Sequence, residues 1–150
     1  MKNQVILFAE DDEDEVFLLR RAWSKTYPFV EMQVVPNGEE ALAYLRAQGK
    51  YSDRRQFPFP AFILLDICMP RMNGLEVLEA IRNDPNLTRL TVIIFTCSDQ
   101  EQDINRAFDL HANSYLLKPC TPDSLAQVLK KLEDYWLGLN HRARCPAEQF

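Results

Sequence analysis

Several features are missing from this sequence, and each absence argues against a class of protein. No apolar stretch reaches the ~18 residues that a membrane-spanning helix needs, and no secretory signal opens the chain, so we expect a cytoplasmic protein with reduced thiols. The four cysteines form no Cys-x-x-Cys pair and have no histidine pair nearby, which argues against a zinc site. Basic residues do not outnumber acidic ones either. With 17 Lys and Arg against 22 Asp and Glu, the net charge is −5, and nucleic acid is not the expected partner.

Negative charge, in contrast, is concentrated in one place. Residues 9–16 read AEDDEDEV, with six acidic side chains in a row directly after the apolar run VILFA. A disordered acidic tail does not fit, because the run lies between two segments that are patterned as structured. The run is therefore either solvated surface or a place where some of the carboxylates meet a cation.

Short apolar runs alternate with amphipathic segments along the chain. The five runs are VILFA (5–9), VEMQVV (30–35), AFILLD (61–66), LTVIIF (90–95) and SYLL (114–117). Helix starts are marked by Asn37 and Ser98, each three residues before a Glu, and by Thr121 before Pro122. This alternation predicts an α/β fold, a doubly wound five-stranded parallel sheet with helices on both faces. One domain is expected over residues 1–138, with a C-terminal tail at 139–150 and no second domain.

Chemically active side chains follow the predicted strands. Because parallel strands end at one edge of a sheet, these side chains can share a pocket; they are Glu10, Asp11, Asp66, Thr96 and Lys118. Several carboxylates close together repel one another unless a cation lies between them. Oxygen ligands without thiolate or imidazole favour Mg²⁺, or Mn²⁺ in its place. A lysine and a hydroxyl opposite such an ion suit a phosphoryl group, and aspartate can act as a nucleophile toward phosphorus.

This set, together with Lys118-Pro119 and DICMPRMNG (66–74), resembles the receiver domain of bacterial two-component response regulators over about residues 4 to 137. The resemblance implies a flavodoxin-like fold with strand order 2-1-3-4-5. It implies that Asp66 is the phosphoacceptor. It also implies that Mg²⁺ (or Mn²⁺) is bound by Asp11, Asp66, the Cys68 carbonyl and, through a water, Glu10. Lys118 would bind the phosphoryl oxygens across a cis bond to Pro119, and Thr96 and Tyr115 would form a switch pair. Gly74 would adopt a left-handed turn.

Within the acidic run, only Glu10 and Asp11 are expected at the site. Asp12 would support them, and Glu13, Asp14 and Glu15 would lie in the first turn of a helix, where the macrodipole favours acids. The family implies a protein that catalyses its own phosphorylation and dephosphorylation rather than an enzyme acting on a separate substrate. Cys68 departs from the usual pattern, and its weak hydrogen bonding predicts a long-lived phosphorylated state.

The resemblance extends to stand-alone receivers paired with phytochrome-type histidine kinases, through residues 49–60, residues 70–87 and the helix ending EDYW. The expected partners are a sensor histidine kinase, which could be a phytochrome, and a histidine phosphotransfer protein if phosphate is relayed. Aromatic anchors are common at interfaces, and Tyr135, Trp136 and Leu139 extend past the predicted sheet. They predict a homodimer through the fourth helix, fifth strand and fifth helix, with the tail reaching the partner.

Other functions remain open at this point. A phosphatase with an aspartate nucleophile would need a further acidic metal-binding motif after Lys118, and the last helix supplies none. A flavin-binding module would need a phosphate loop where the acidic run lies. A receiver used only as a scaffold would lack Asp11, Asp66 or Lys118, and all three are present.

Overall fold

The sheet of this protein has the predicted number, direction and order of strands. The structure, a computed structural model, describes residues 4–26 and 29–149. Its parallel strands run in the order β2-β1-β3-β4-β5. They are β1 (Val5–Ala9), β2 (Glu31–Val35), β3 (Phe62–Leu65), β4 (Thr91–Thr96) and β5 (Ser114–Leu117). The doubly wound, flavodoxin-like fold class is thereby confirmed.

Five α-helices connect and follow the strands. They are α1 (Glu13–Thr26), α2 (Gly38–Leu45), α3 (Gly74–Asn83), α4 (Glu101–Asp109) and α5 (Pro122–Glu133). Helix α5 continues into a π-helical turn at Asp134–Leu139, and 3₁₀ turns lie at Gly49–Tyr51 and Pro146–Gln149. No helix among residues 4–26 and 29–149 is both long and apolar enough to cross a bilayer.

The central strands are buried on both faces, which explains their near-continuous apolar sequence. Alternate residues of each strand point to opposite faces. Leu7, Ile63 and Ile94 pack on the side of α2 and α3. Phe8, Leu64 and Phe95 pack on the side of α1 and α5. The sheet therefore separates two apolar layers, and its polar strand ends emerge between them.

Local capping decides where the helices begin. Asn37 accepts from Glu40 N at 2.9 Å and Thr121 accepts from Ser124 N at 3.1 Å, so both predicted caps are confirmed. The predicted cap at Ser98 is wrong. Helix α4 starts after Gln100, which makes no side-chain cap, because the Ser98 hydroxyl bonds instead to Asp103 Oδ2 at 2.5 Å.

Gly74 is required for a reason different from the expected one. Among the described residues, Gly49 is the glycine with a positive φ, so the left-handed turn predicted at Gly74 is wrong. Gly74 is the first residue of α3 and lies against the chain that leaves β3. A Cβ at this position would overlap the carbonyl oxygen of Asp66 and lie 2.9 Å from Ile67 Cα. The glycine thus lets α3 approach the backbone of Asp66.

The C-terminal segment packs on its own chain. Cys145 and Ala147 are buried in the apolar layer on the α2–α3 side, and Ala147 N donates to Asn86 O at 3.2 Å. Arg142 forms two hydrogen bonds with the Glu148 carboxylate, at 3.0 and 2.9 Å. The tail therefore crosses to the face of the sheet opposite α5 and helps to close that layer, whereas the sequence had predicted that it reaches a second copy.

Candidate functional site

The sheet carries four of the predicted site residues to one edge. Backbone hydrogen bonding continues past the strand ends, from Glu10 N to Val35 O at 3.0 Å and from Lys118 N to Thr96 O at 2.8 Å. Glu10 is 2% exposed, Asp66 4% and Thr96 1%. These polar side chains are held by the backbone of buried strands, so their positions are set by the sheet itself.

The ammonium group of Lys118 lies at the centre of this edge. It donates to Glu10 Oε2 at 2.6 Å, to Glu15 Oε2 at 2.6 Å and to Asp66 Oδ2 at 2.5 Å. An ammonium group has three N–H donors, so each contacts a different carboxylate. The Lys118–Pro119 bond is trans, as are all peptide bonds among the described residues. The cis bond that the resemblance implied is wrong, and trans is the ordinary preference of a bond before proline.

Glu15 is a member of the site that the sequence analysis missed. It does lie in the first turn of α1, as predicted. Asp12 caps that turn by accepting from Asp14 N and Glu15 N, at 2.9 and 3.2 Å. A Glu at this third helical position points back toward the start of the helix. Because Asp12 N already donates to Glu10 Oε1 at 3.1 Å, the Glu15 carboxylate extends to Lys118 instead.

Asp11 is placed differently from the other predicted ligands. Its residue is exposed, and its side chain makes no hydrogen bond or ion pair within the part of the chain that the structure describes. The acidic run is therefore divided by function. Glu10 and Glu15 point into the pocket, Asp12 caps α1, and Asp11 stands at the rim, where its role as a ligand stays a prediction.

Burial and mutual contact shift the pKa values of the pocket. Burial, followed by the adjacent carboxyl of Asp66, raises the pKa of Glu10 to about 9. Burial would also raise the pKa of Asp66, but hydrogen bonds with Glu10 and Lys118 lower it below its ordinary value. Burial opposes the charge of Lys118, but its bonds to Asp66 and Glu10 raise its pKa. These opposite shifts mean that a proton in the pocket favours Glu10 over Asp66.

The same carboxylates, which surround the Lys118 ammonium group here, are oxygen donors of the kind that a hard divalent cation needs. Oxygen atoms of Glu10, Glu15 and Asp66 all lie within 4.8 Å of one another, and such oxygens are the donors that Mg²⁺ and Mn²⁺ prefer. Cys68 N donates to Asp66 Oδ1 at 3.1 Å, which orients the Asp66 carboxylate. The Cys68 carbonyl remains a predicted ligand.

Thr96 and Tyr115 meet on the loop between β4 and α4. Thr96 Oγ1 accepts from Ser98 N at 3.4 Å, and the Tyr115 hydroxyl donates to Ser98 O at 2.8 Å. The Tyr115 ring is half-buried against the α2–α3 apolar layer. Thr96 and Tyr115 thus both contact the backbone of Ser98, and their role as a switch pair stays a prediction.

A cleft of about 90 Å³ opens beside the pocket, between α1 and α5. Its walls are mostly apolar and include Leu18, Leu19 and Leu125, while Glu15 and Lys118 line the side next to the acids. The predicted interface residues lie beyond the far end of α5. Tyr135 is 50% and Leu139 74% exposed, but Trp136 is partly buried against the α1–α5 layer.

Comparison with known proteins decides the family. The model of the response regulator receiver domain matches residues 6–130. This chain belongs to the response regulator receiver family. The receiver is 33% identical to the response regulator Rcp1 of Synechocystis sp. over 134 residues, covering 89% of each chain. It is also 33% identical to the probable methanogenesis regulatory protein FilR2 of Methanothrix harundinacea over 138 residues, covering 91% of this chain and 85% of that protein.

Solved structures of receivers show the same fold. The phosphorylated cyanobacterial phytochrome response regulator RcpA superimposes with a TM-score of 0.85 at 34% identity, covering 93% of this chain and 98% of that chain. The Mn²⁺-bound form of Rcp1 superimposes with a TM-score of 0.81 at 31% identity, covering 93% and 99%. The receiver described here thus matches these relatives over almost its whole length.

Proposed function

We propose that this receiver accepts a phosphoryl group on Asp66 and thereby switches a partner-binding face. The observation that carries the proposal is the Lys118 ammonium group, which joins Asp66 Oδ2 and Glu10 Oε2 in a buried pocket at the strand ends. An ionised, oriented Asp66 can attack phosphorus, and the Asp66 O–P bond forms as the bond between phosphorus and the donor breaks. Lys118 then neutralises the phosphoryl oxygens, and the Thr96 hydroxyl turns toward them and draws Tyr115 with it. Positioning and neutralisation of charge are the main requirements of phosphoryl transfer.

A divalent cation completes the proposed site. Its ligands would be Asp11, Asp66, the Cys68 carbonyl and, through a water, Glu10, with Mg²⁺ as the ion and Mn²⁺ as a substitute. The oxygen donors of the pocket support this choice, as does the Mn²⁺ bound by Rcp1. When bound, the cation would offset the negative charge that gathers on the oxygens during transfer.

The proposed phosphoryl donor is a sensor histidine kinase in the cytoplasm, and specifically one of the phytochrome type. Membership of the receiver family supports a histidine kinase. The likeness to the phytochrome response regulator RcpA supports the finer proposal, whereas FilR2 is described as a regulator of methanogenesis. Onward transfer to a histidine phosphotransfer protein is the alternative, in which the receiver is an intermediate of a phosphorelay.

Cys68 is proposed to slow the loss of phosphate. The residue is exposed and lies two positions after Asp66, where its thiol, a weak hydrogen-bonding group, orients an attacking water poorly. Cys68→Asn should shorten the half-life of the phosphorylated receiver several-fold, measured by intact mass after removal of the donor. Cys120→Asn, an exposed cysteine after Lys118, is the control. Equal half-lives in the wild type and Cys68→Asn would contradict this role.

We further propose a homodimer through α4, β5 and the end of α5. Strand β5 forms an edge of the sheet, and Phe108, Leu117 and Leu139 are 49%, 51% and 74% exposed on these elements. Light scattering at tens of micromolar, with and without beryllofluoride and Mg²⁺, should show a dimer that Leu139→Asp weakens. Phe29→Asp, at the β2 edge and equally apolar, should not weaken it. A wild type that stays monomeric under both conditions would refute the dimer.

The phosphoacceptor itself is tested by intact-mass spectrometry after incubation with acetyl phosphate. The wild type should gain one adduct of about 80 Da in Mg²⁺ and none in EDTA, and Asp66→Asn should gain none. Asp109→Asn replaces an exposed aspartate at the end of α4 and should behave like the wild type. A folded wild type without an adduct would favour a scaffold that is not phosphorylated.

A further inference from the structure

Glu15 differs from the other two carboxylates that hold Lys118. The side chains of Glu10 and Asp66 are 1% and 6% exposed and follow strands of the sheet. The Glu15 side chain is 35% exposed and comes from the first turn of a helix. All three accept one bond each from the same ammonium group. Glu15 is therefore the partner that can leave Lys118 and be solvated by water.

We propose that Glu15 is a positioning residue that holds the Lys118 ammonium group in the unphosphorylated receiver and releases it when Asp66 is phosphorylated. The inference rests on the proposed function of Asp66. An ammonium group has only three donors, and carboxylates already occupy all of them. A phosphoryl group on Asp66 brings new oxygens that compete for these donors. Glu15 is the acceptor that can leave most easily, because its side chain is 35% exposed and water can solvate it, whereas that of Glu10 is 1% exposed.

The release of Glu15 also reaches the surface between α1 and α5. Glu15 lines the cleft between these helices together with Leu18, which is one turn further along α1, and Leu125 of α5. Leu18 is 46% exposed, so the mouth of the cleft is open to solvent. A Glu15 side chain that turns from Lys118 to solvent changes the charge and shape of this wall. Phosphorylation would thereby change the surface at α1, in addition to the proposed movement of Thr96 and Tyr115.

The matched variants are Glu15→Gln and Glu13→Gln. Both remove one negative charge from the first turn of α1, but only Glu15 bonds to Lys118. A bond from an ammonium group to a neutral amide is weaker than one to a carboxylate. Glu15→Gln should therefore release Lys118 more easily and raise the rate of phosphorylation by acetyl phosphate about fivefold at saturating Mg²⁺, whereas Glu13→Gln should stay within twofold of the wild type.

A second measurement observes Lys118 directly, without any phosphoryl donor. The ¹H–¹⁵N signal of a lysine ammonium group is retained when hydrogen bonds slow its exchange with water. The Lys118 signal should exchange several-fold faster in Glu15→Gln than in the wild type or Glu13→Gln, with melting temperatures within a few degrees. Unchanged exchange, or a phosphorylation rate in Glu15→Gln at or below that of Glu13→Gln, would overturn the proposal. A wild type that is never phosphorylated would refute the function of Asp66, and the exchange rates would still decide the role of Glu15.

Discussion

Glu133 gives a prediction whose size can be worked from the structure. It is the last residue of α5 and is 1% exposed. Neither of its carboxylate oxygens has a hydrogen-bond partner within the described residues. Burial, followed by the charge of Asp134 and opposed by Lys130, raises the pKa of Glu133 to about 8 from an ordinary value of 4.5. The folded protein therefore prefers the neutral carboxyl group at this position.

The sign and size of the effect follow from this pKa. In the unfolded chain Glu133 ionises near 4.5, but in the folded chain only near 8. The contribution of Glu133 to stability is therefore complete below pH 4.5 and is lost as the pH rises through 8. A pKa unit corresponds to about 1.4 kcal/mol. Allowing for relaxation at the helix end, we expect the free energy of unfolding to fall by roughly 2–4 kcal/mol over this range.

The variant Glu133→Gln removes the titration and keeps the shape. Urea unfolding, followed by the fluorescence of Trp23 and Trp136, would compare it with the wild type at pH 4.5, 7 and 9. The two should have similar stability at pH 4.5, and the variant should be about 3 kcal/mol more stable at pH 9. Exposed Glu13→Gln should show no such change. Because Glu10 titrates in every variant, its effect cancels in the comparison. A difference between Glu133→Gln and the wild type that is the same at all three pH values would refute the reasoning.

Two further predictions concern the pocket itself. Gly74→Ala should lower the free energy of unfolding by about 3 kcal/mol and slow phosphorylation, because its Cβ would overlap the Asp66 carbonyl. In thermal melts, Gly138→Ala should change stability far less, because the nearest atom to a Cβ at position 138 is 3.9 Å away. Addition of Mg²⁺ at pH 7 in weak buffer should release protons as the ion binds, because burial raises the pKa of Glu10 in the pocket without metal. Tight Mg²⁺ binding without a change in pH would contradict that raised pKa.

Much of the architecture could be predicted because the strands are patterned so strongly. Strands buried on both faces must be apolar throughout, which made β1, β3 and β4 recognisable. Once the strands were placed, Asp66, Thr96 and Lys118 had to meet at one edge of a parallel sheet. The strand order itself came from the likeness to receivers, and the observed order agrees with it.

The remaining features depend on distances that a linear pattern does not contain. The contact of Glu15 with Lys118 joins residues 103 positions apart, and it forms because Asp12 turns the start of α1 toward the pocket. At Gly74 the sequence indicated a special backbone, but the cause is the approach of α3 to Asp66 and not a positive φ. Ser98 carries a capping pattern, yet its hydroxyl bonds to Asp103. In each case the outcome depends on a contact that the local sequence pattern does not specify.

The central claim is that Asp66, and no other residue, accepts the phosphoryl group when a divalent cation is present. Borohydride reduction tests it most directly, because it converts an aspartyl phosphate to homoserine, which peptide mass spectrometry can locate. After treatment with acetyl phosphate and Mg²⁺, we predict homoserine at position 66 alone, and none when EDTA is added. A reduced side chain at Asp11, at Glu10 or at any other position, or equal reduction at position 66 in EDTA, would contradict the account.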